Sequence, residues 1–168
     1  PTQPGVSMKT HAALTVALLV LFSATSLQAA PEYDQTILKS IFPAGARGTT
    51  VIVRLLGTNG GLDGADSILV DGPPGVSVSG VKAAGRDQIE ATFQIAADAV
   101  PGRRMVRVKG GRMGLTNFRW FFVGPLPEHV EKEKNNSPET AETVSQPVVT
   151  NGRISPVLDQ DCFRFKAK

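Results

Sequence analysis

The fold is decided by Gly48-Thr-Thr-Val-Ile-Val-Arg-Leu-Leu-Gly57. Val51, Val53 and Leu55 alternate with Ile52, Arg54 and Leu56, and a period of two belongs to a strand with one buried face, not to a helix. The residues that follow, Gly57-Thr-Asn-Gly-Gly-Leu-Asp-Gly64, have the composition of a turn, with glycines available for positive φ.

Working outward, the same alternation recurs between turn residues. It predicts strands at Thr36–Ile41, Thr49–Leu56, Ser67–Val70, Val76–Val81, Gln88–Ile95, Arg104–Lys109 and Phe118–Val123. The breaks Pro43–Gly48, Asp71–Gly75 and Val100–Gly102 are rich in proline and glycine. Seven short strands in about 94 residues is the size of an immunoglobulin-like β-sandwich, and no helix longer than a turn or two is needed. The expected fold class is therefore all-β.

Composition agrees with many turns: 168 residues, 41% hydrophobic, with 17 glycines and 12 prolines, suit one ordinary domain plus extras. The one cysteine, Cys162, allows no internal disulfide and excludes cysteine zinc sites and Cys-x-x-Cys redox chemistry. A net charge of +3 is too small to argue for nucleic acid. Its distribution is uneven, because Arg103 to Arg119 is a basic run without an acid whereas Glu128 to Glu142 is mostly acidic.

At the other end, Met8-Lys9-Thr-His precedes the apolar run Ala12 to Phe22 and the small residues up to Ala30. A charged start, an apolar stretch short of the ~20 residues that span a bilayer and a small-residue cleavage site read as a secretory signal, cut after Ala29 or Ala30. Translation is expected to start at Met8. Residues 1–30 are thus leader and signal peptide, 31–124 the sandwich, 125–130 a linker stiffened by Pro125 and Pro127, and 131–168 a second segment. The mature chain is expected to be secreted or held at the cell surface, without a transmembrane helix.

Catalytic patterns are poorly served. The mature chain has a single histidine, His129, set in the linker, so a hydrolytic triad has no oriented base. The Gly57–Gly64 loop lacks a Gly-Lys-Ser/Thr ending and lies between two strands, which removes the helix N-terminus that a phosphate needs. In the basic run, Val106 and Val108 fall on one face and Met105, Arg107 and Lys109 on the other, so a solvated outer face is the simplest reading, with an anionic polysaccharide or membrane the functional one. Phe118, Trp120 and Phe122 alternate with Arg119, Phe121 and Val123, leaving the last strand apolar on both faces. That implies a central strand or one covered by the second segment, the alternative being an exposed ligand-binding strip.

Two stretches carry family resemblances. Pro43-x-Gly45-x-x-Gly48-Thr, the strand after it and Gly57-Thr-Asn59 resemble the opening of the IPT/TIG type of immunoglobulin-like domain, which implies an interaction or spacer module without catalytic groups. Glu131-Lys-Glu-Lys-Asn-Asn136, then Asn151-Gly-Arg-Ile154, then Asp159-Gln-Asp-Cys-Phe-Arg-Phe165 resemble the start of a bacterial pre-peptidase C-terminal domain, a jelly-roll-like β-sandwich of secreted peptidases and surface proteins. Lys134 stands where that family usually has proline, and Asn136 replaces a common aspartate. The resemblance implies a calcium ion held by Glu131, Glu133, Asn135, Asn136, Asp159 and Asp161, hard oxygen donors of the type calcium takes. It also implies a domain that continues beyond Lys168.

The expected function is an exported, non-catalytic binding or spacer module. An extracellular protein or polysaccharide is its expected partner, and nucleic acid is not. The alternative is the N-terminal part of a larger secreted enzyme, most plausibly a peptidase.

Overall fold

Thr50–Leu56 is a strand in which Val53 and Leu55 are fully buried while Ile52 and Arg54 face solvent. The computed structural model describes residues 38–111 and 114–167, all within the unit Tyr33–Lys168. The leader, the cleavage site and the start of the first expected strand lie outside the described residues.

Among the described residues eight strands build the sandwich: β1 (Ser40–Phe42), β2 (Gly45–Ala46), β3 (Thr50–Leu56), β4 (Ala65–Asp71), β5 (Val76–Gly85), β6 (Gln88–Ile95), β7 (Gly102–Gly110) and β8 (Arg119–Gly124). One four-stranded sheet has the order β1-β3-β6-β5 and the other β2-β8-β7-β4. Among the described residues there is no helix, and so none long and apolar enough to cross a membrane. The chain is all-β.

Alternation decides what enters the core. The inner rows are Val53 and Leu55 of β3, Ile89, Ala91, Phe93 and Ile95 of β6, Val106 and Val108 of β7, and Phe121 and Val123 of β8. Phe93 and Phe121 meet across the two sheets with ring centroids 4.8 Å apart at 43°, a tilted contact that avoids stacking two electron-rich faces. Leu62 is also fully buried, although it sits in the loop after β3. Three successive turn bonds, from Gly61 N, Asp63 N and Ala65 N to the carbonyls of Thr58, Gly60 and Leu62, coil that loop and deliver Leu62 to the core.

The expected seven strands become eight because of β2. Its two residues have no readable alternation, and they pair parallel to Val123 and Gly124 of β8. Glycine is needed there for space: a Cβ on Gly45 would lie 2.1 Å from Ile95 Cδ1. Gly45→Ala is expected to overpack the core and cost about 1–3 kcal/mol, measured as a lowered urea midpoint at unchanged slope. The Asp71–Gly75 crossover between the sheets depends on Gly75 in a different way, since its φ of +98° is strained for any other residue and an added Cβ would lie 2.7 Å from Ala99 Cβ.

Beyond Pro127 come four short strands: β9 (Glu128–Val130), β10 (Glu142–Thr143), β11 (Val149–Asn151) and β12 (Phe163–Arg164). They form two parallel pairs, β9 with β11 and β10 with β12. Asn151 joins this segment to the sandwich, its Oδ1 accepting from Ala44 N at 3.0 Å while its Nδ2 donates to Glu128 at 2.5 Å.

Candidate functional site

The parallel pairing of β9 with β11 sets the site. Glu131 N donates to Asn151 O at 3.0 Å, which carries the Glu131 side chain alongside Gly152. On another segment, Cys162 N donates to Asn135 O at 2.9 Å and holds Asp161 next to Asn135. The carboxylates of Glu131 and Asp161 converge over Gly152, where an added Cβ would lie 2.9 Å from Glu131 Oε2 and 3.0 Å from Asp161 Oδ2.

Burial without partners marks this cluster. Asn135 is 1% exposed, and neither atom of its amide has a hydrogen-bond partner. Glu131 Oε2 and Asp161 Oδ1 are likewise buried without partners. Burial pushes the Glu131 carboxyl above the usual carboxylate range, and the neighbouring Asp161 and Glu133 carboxylates push it the same way against a bond from the Arg153 backbone. Two carboxylates in so small a space need a proton or a cation between them.

The expected ligand set divides. Asn135 and Asp159 are the buried members, Glu131 and Asp161 are half-buried with one oxygen each shut away from solvent, and Glu133 is exposed but close enough to act on Glu131 through its charge. Asn136 and Asp159 are occupied with each other, Asn136 Nδ2 donating to Asp159 Oδ1 at 3.0 Å. The second oxygen of Asp159 accepts from Ser155 N at 2.6 Å and closes the 155–159 turn. Among the described residues no three His, Cys, Asp or Glu side chains group as a metal site, so an ion here would draw on two carboxylates and an amide. Lys134 has a φ of +81°, which a proline ring cannot adopt, so the departure from the family pattern at this position reflects a different local backbone.

The groups weighed for catalysis have structural employment. His129 Nε2 lies 2.5 Å from Glu142 Oε2, and its ring meets the Phe163 ring edge-on at 6.3 Å. The other Glu142 oxygen accepts from Lys132 N, so this pair fastens β9 to β10. In the Gly57–Gly64 loop the Gly60 amide donates to Asp87 Oδ1 at 2.6 Å, and the coiled turns take the amides of Gly61 and Asp63. Those amides are not available to a phosphate. Beside the carboxylates a cleft of about 390 Å³ opens between the outer face of β3, with Ile52 and Arg54, and the segment bearing Val130, Glu133 and Arg153. Arg54 and Glu90 pair across its floor at 3.2 Å.

Of the two readings of the last strand, a central strand or one covered by the second segment, the first is what the structure has. The aromatic row is not covered: Trp120 of β8 and Phe118 just before it are each 38% exposed and Phe122 52%. β8 is an interior strand, between β2 and β7, yet its outer face is open.

No protein-family model matches the chain, and no curated protein matches it. Among solved structures, the Bacteroides ovatus mixed-linkage glucan utilization locus protein SGBP-B, in complex with a mixed-linkage heptasaccharide, aligns at 17% identity and a TM-score of 0.36. That alignment spans 66% of this chain and 25% of the other. The functional reading rests instead on the geometry of the chain itself.

Proposed function

We propose that the chain is an exported, non-catalytic binding or spacer module of a bacterial surface or secreted protein. In this reading calcium held by Glu131, Asp161 and Asn135 fastens its C-terminal segment, which belongs to the pre-peptidase C-terminal type. The observation that carries the reading is the meeting of the Glu131 and Asp161 carboxylates over Gly152, with Glu131 Oε2, Asp161 Oδ1 and the Asn135 amide buried without partners. A hard divalent cation suits them, because it neutralises both carboxylates and accepts the neutral amide oxygen of Asn135 as a further ligand.

The ion would bring together segments about thirty residues apart in sequence, Glu131 after β9 and Asp161 before β12. Only the folded chain presents that set, so calcium stabilises it by mass action, by about 2.7 kcal/mol when free calcium is a hundredfold above its dissociation constant. The expected result is a higher melting temperature in calcium than in chelator, with most of the shift lost in Asp161→Ala. Gly152→Ala should reduce the shift as well, since its methyl group occupies the space over which the carboxylates meet. Superimposable melting curves in calcium and in chelator would reduce the cluster to a solvated acidic pair. Export is tested separately by mass spectrometry of the mature N-terminus, where an intact Met8 from a cytoplasmic fraction would overturn it.

A further inference from the structure

The outer face of the β2-β8-β7-β4 sheet carries a row of aromatic rings beside a row of cations. Trp120 and Phe122 stand two residues apart on β8, about 7 Å along a strand, and Phe118 immediately precedes that strand. On β7, Arg103 lies opposite Phe122 and Met105 opposite Trp120, with Arg107 and Lys109 continuing the same face. Phe118 meets Trp120 edge-on with centroids 5.1 Å apart, and the Arg103 guanidinium lies 4.9 Å from the Trp120 ring centroid. The rings and the guanidinium therefore hold one another in place and need little ordering when a ligand arrives.

The charges on this face are unbalanced. Among the described residues no carboxylate forms an ion pair with Arg103, Arg107 or Lys109, and Arg107 Nε is buried without a partner. On the same sheet, Asp71 of β4 stands opposite Met105, and Asp66 accepts from its neighbour Ser67. An apolar partner would strip water from three cations and return nothing. A partner that brings carboxylates among apolar patches answers both rows.

We infer that this face binds a carboxylated polysaccharide, a chain of uronic-acid sugars, which deepens the binding-module reading above and rests on it. The C–H faces of the sugar rings lie on Phe118, Trp120 and Phe122, while the ring carboxylates take bidentate bonds from Arg103 and Arg107. An acidic peptide fits less well, because β7 is paired on both sides and β8 is unpaired on its β2 side only over the four residues Arg119–Phe122, a short edge for strand addition. A nucleic acid strand calls for a positive groove that tracks successive phosphates, and this face is an open sheet surface that also carries Asp71.

Isothermal titration of the full chain with polygalacturonate, a neutral β-glucan and single-stranded DNA tests the inference. Polygalacturonate is expected to bind, and Trp120→Ala and Arg107→Ala are each expected to weaken binding at least tenfold without moving the melting temperature by more than a degree or two. Binding that both variants retain undiminished would place the ligand elsewhere and overturn the inference. So would tighter binding of the neutral glucan or of DNA, or no binding of polygalacturonate. The calcium-dependent melting shift is read independently of all these outcomes, so the ion site and the glycan face fail separately.

Discussion

Phe121→Ala is expected to lower the stability of the sandwich by about 3–5 kcal/mol, whereas Phe122→Ala one residue later should change it by no more than about 0.5 kcal/mol. The two side chains differ only in the face of β8 on which they lie. Phe121 is 1% exposed and packs against Phe93, while Phe122 is 52% exposed on the other side. Truncating Phe121 removes apolar surface from the core and leaves a cavity that two sheets, tied by their hydrogen-bond ladders, cannot collapse to fill. Urea unfolding followed by tryptophan fluorescence measures both, since Trp120 lies beside them. Comparable losses in the two variants would show that the outer face of β8 is covered, and would remove the surface on which the glycan inference stands.

Arg104→Ala is expected to cost about 3 kcal/mol or more, through lost packing volume and two stranded carbonyls. Arg104 is fully buried on the inner face of β7, in register with Val106 and Val108. Its guanidinium donates to Val100 O at 2.8 Å and to Pro74 O at 3.2 Å, spanning the two loops that flank the end of the sheet. No carboxylate accompanies it among the described residues, and burial pushes its pKa down. Arg104→Met separates the two contributions, because it restores most of the volume without the donors. A loss of about 1–3 kcal/mol is expected for that variant from the stranded carbonyls alone. A methionine variant as stable as the parent chain would mean that the hydrogen bonds do no more than offset the desolvation of the charge.

Some of this arrangement is legible in residues read a few at a time. Gln88–Ile95 has the same bounds in the structure as in the expectation, because the period of two reports which side chains point inward and that is a local property of a strand. The Asp71–Gly75 turn is similarly local, with proline and glycine chosen for the φ values they permit. Val106 and Val108 against Arg107 and Lys109 also sort by alternation alone. Arg104 belongs to the inner set by the same parity, yet its charge argues for solvent, and only the carbonyls of Pro74 and Val100, brought from distant parts of the chain, make its burial tolerable.

The remainder required the tertiary structure, since it depends on residues that meet only after folding. β2 exists because Val123 and Gly124 run beside Gly45 and Ala46, and two small residues carry no pattern of their own. The six oxygen-bearing residues from Glu131 to Asp161 are indistinguishable in sequence as calcium ligands. Folding separates them, tying Asn136 to Asp159 in a closed turn, bringing the Glu131 and Asp161 carboxylates together over Gly152, and leaving Glu131 Oε2, Asp161 Oδ1 and the Asn135 amide without partners. The aromatic row on β8 could be core or surface as far as alternation goes, because a period of two assigns residues to faces without saying what each face meets. By itself, then, the sequence determined the strands, the turns and the side-chain parity. Which sheet face stays open and which carboxylates converge was decided by strand order and by hydrogen bonds between segments, because distance along the chain does not specify distance in space.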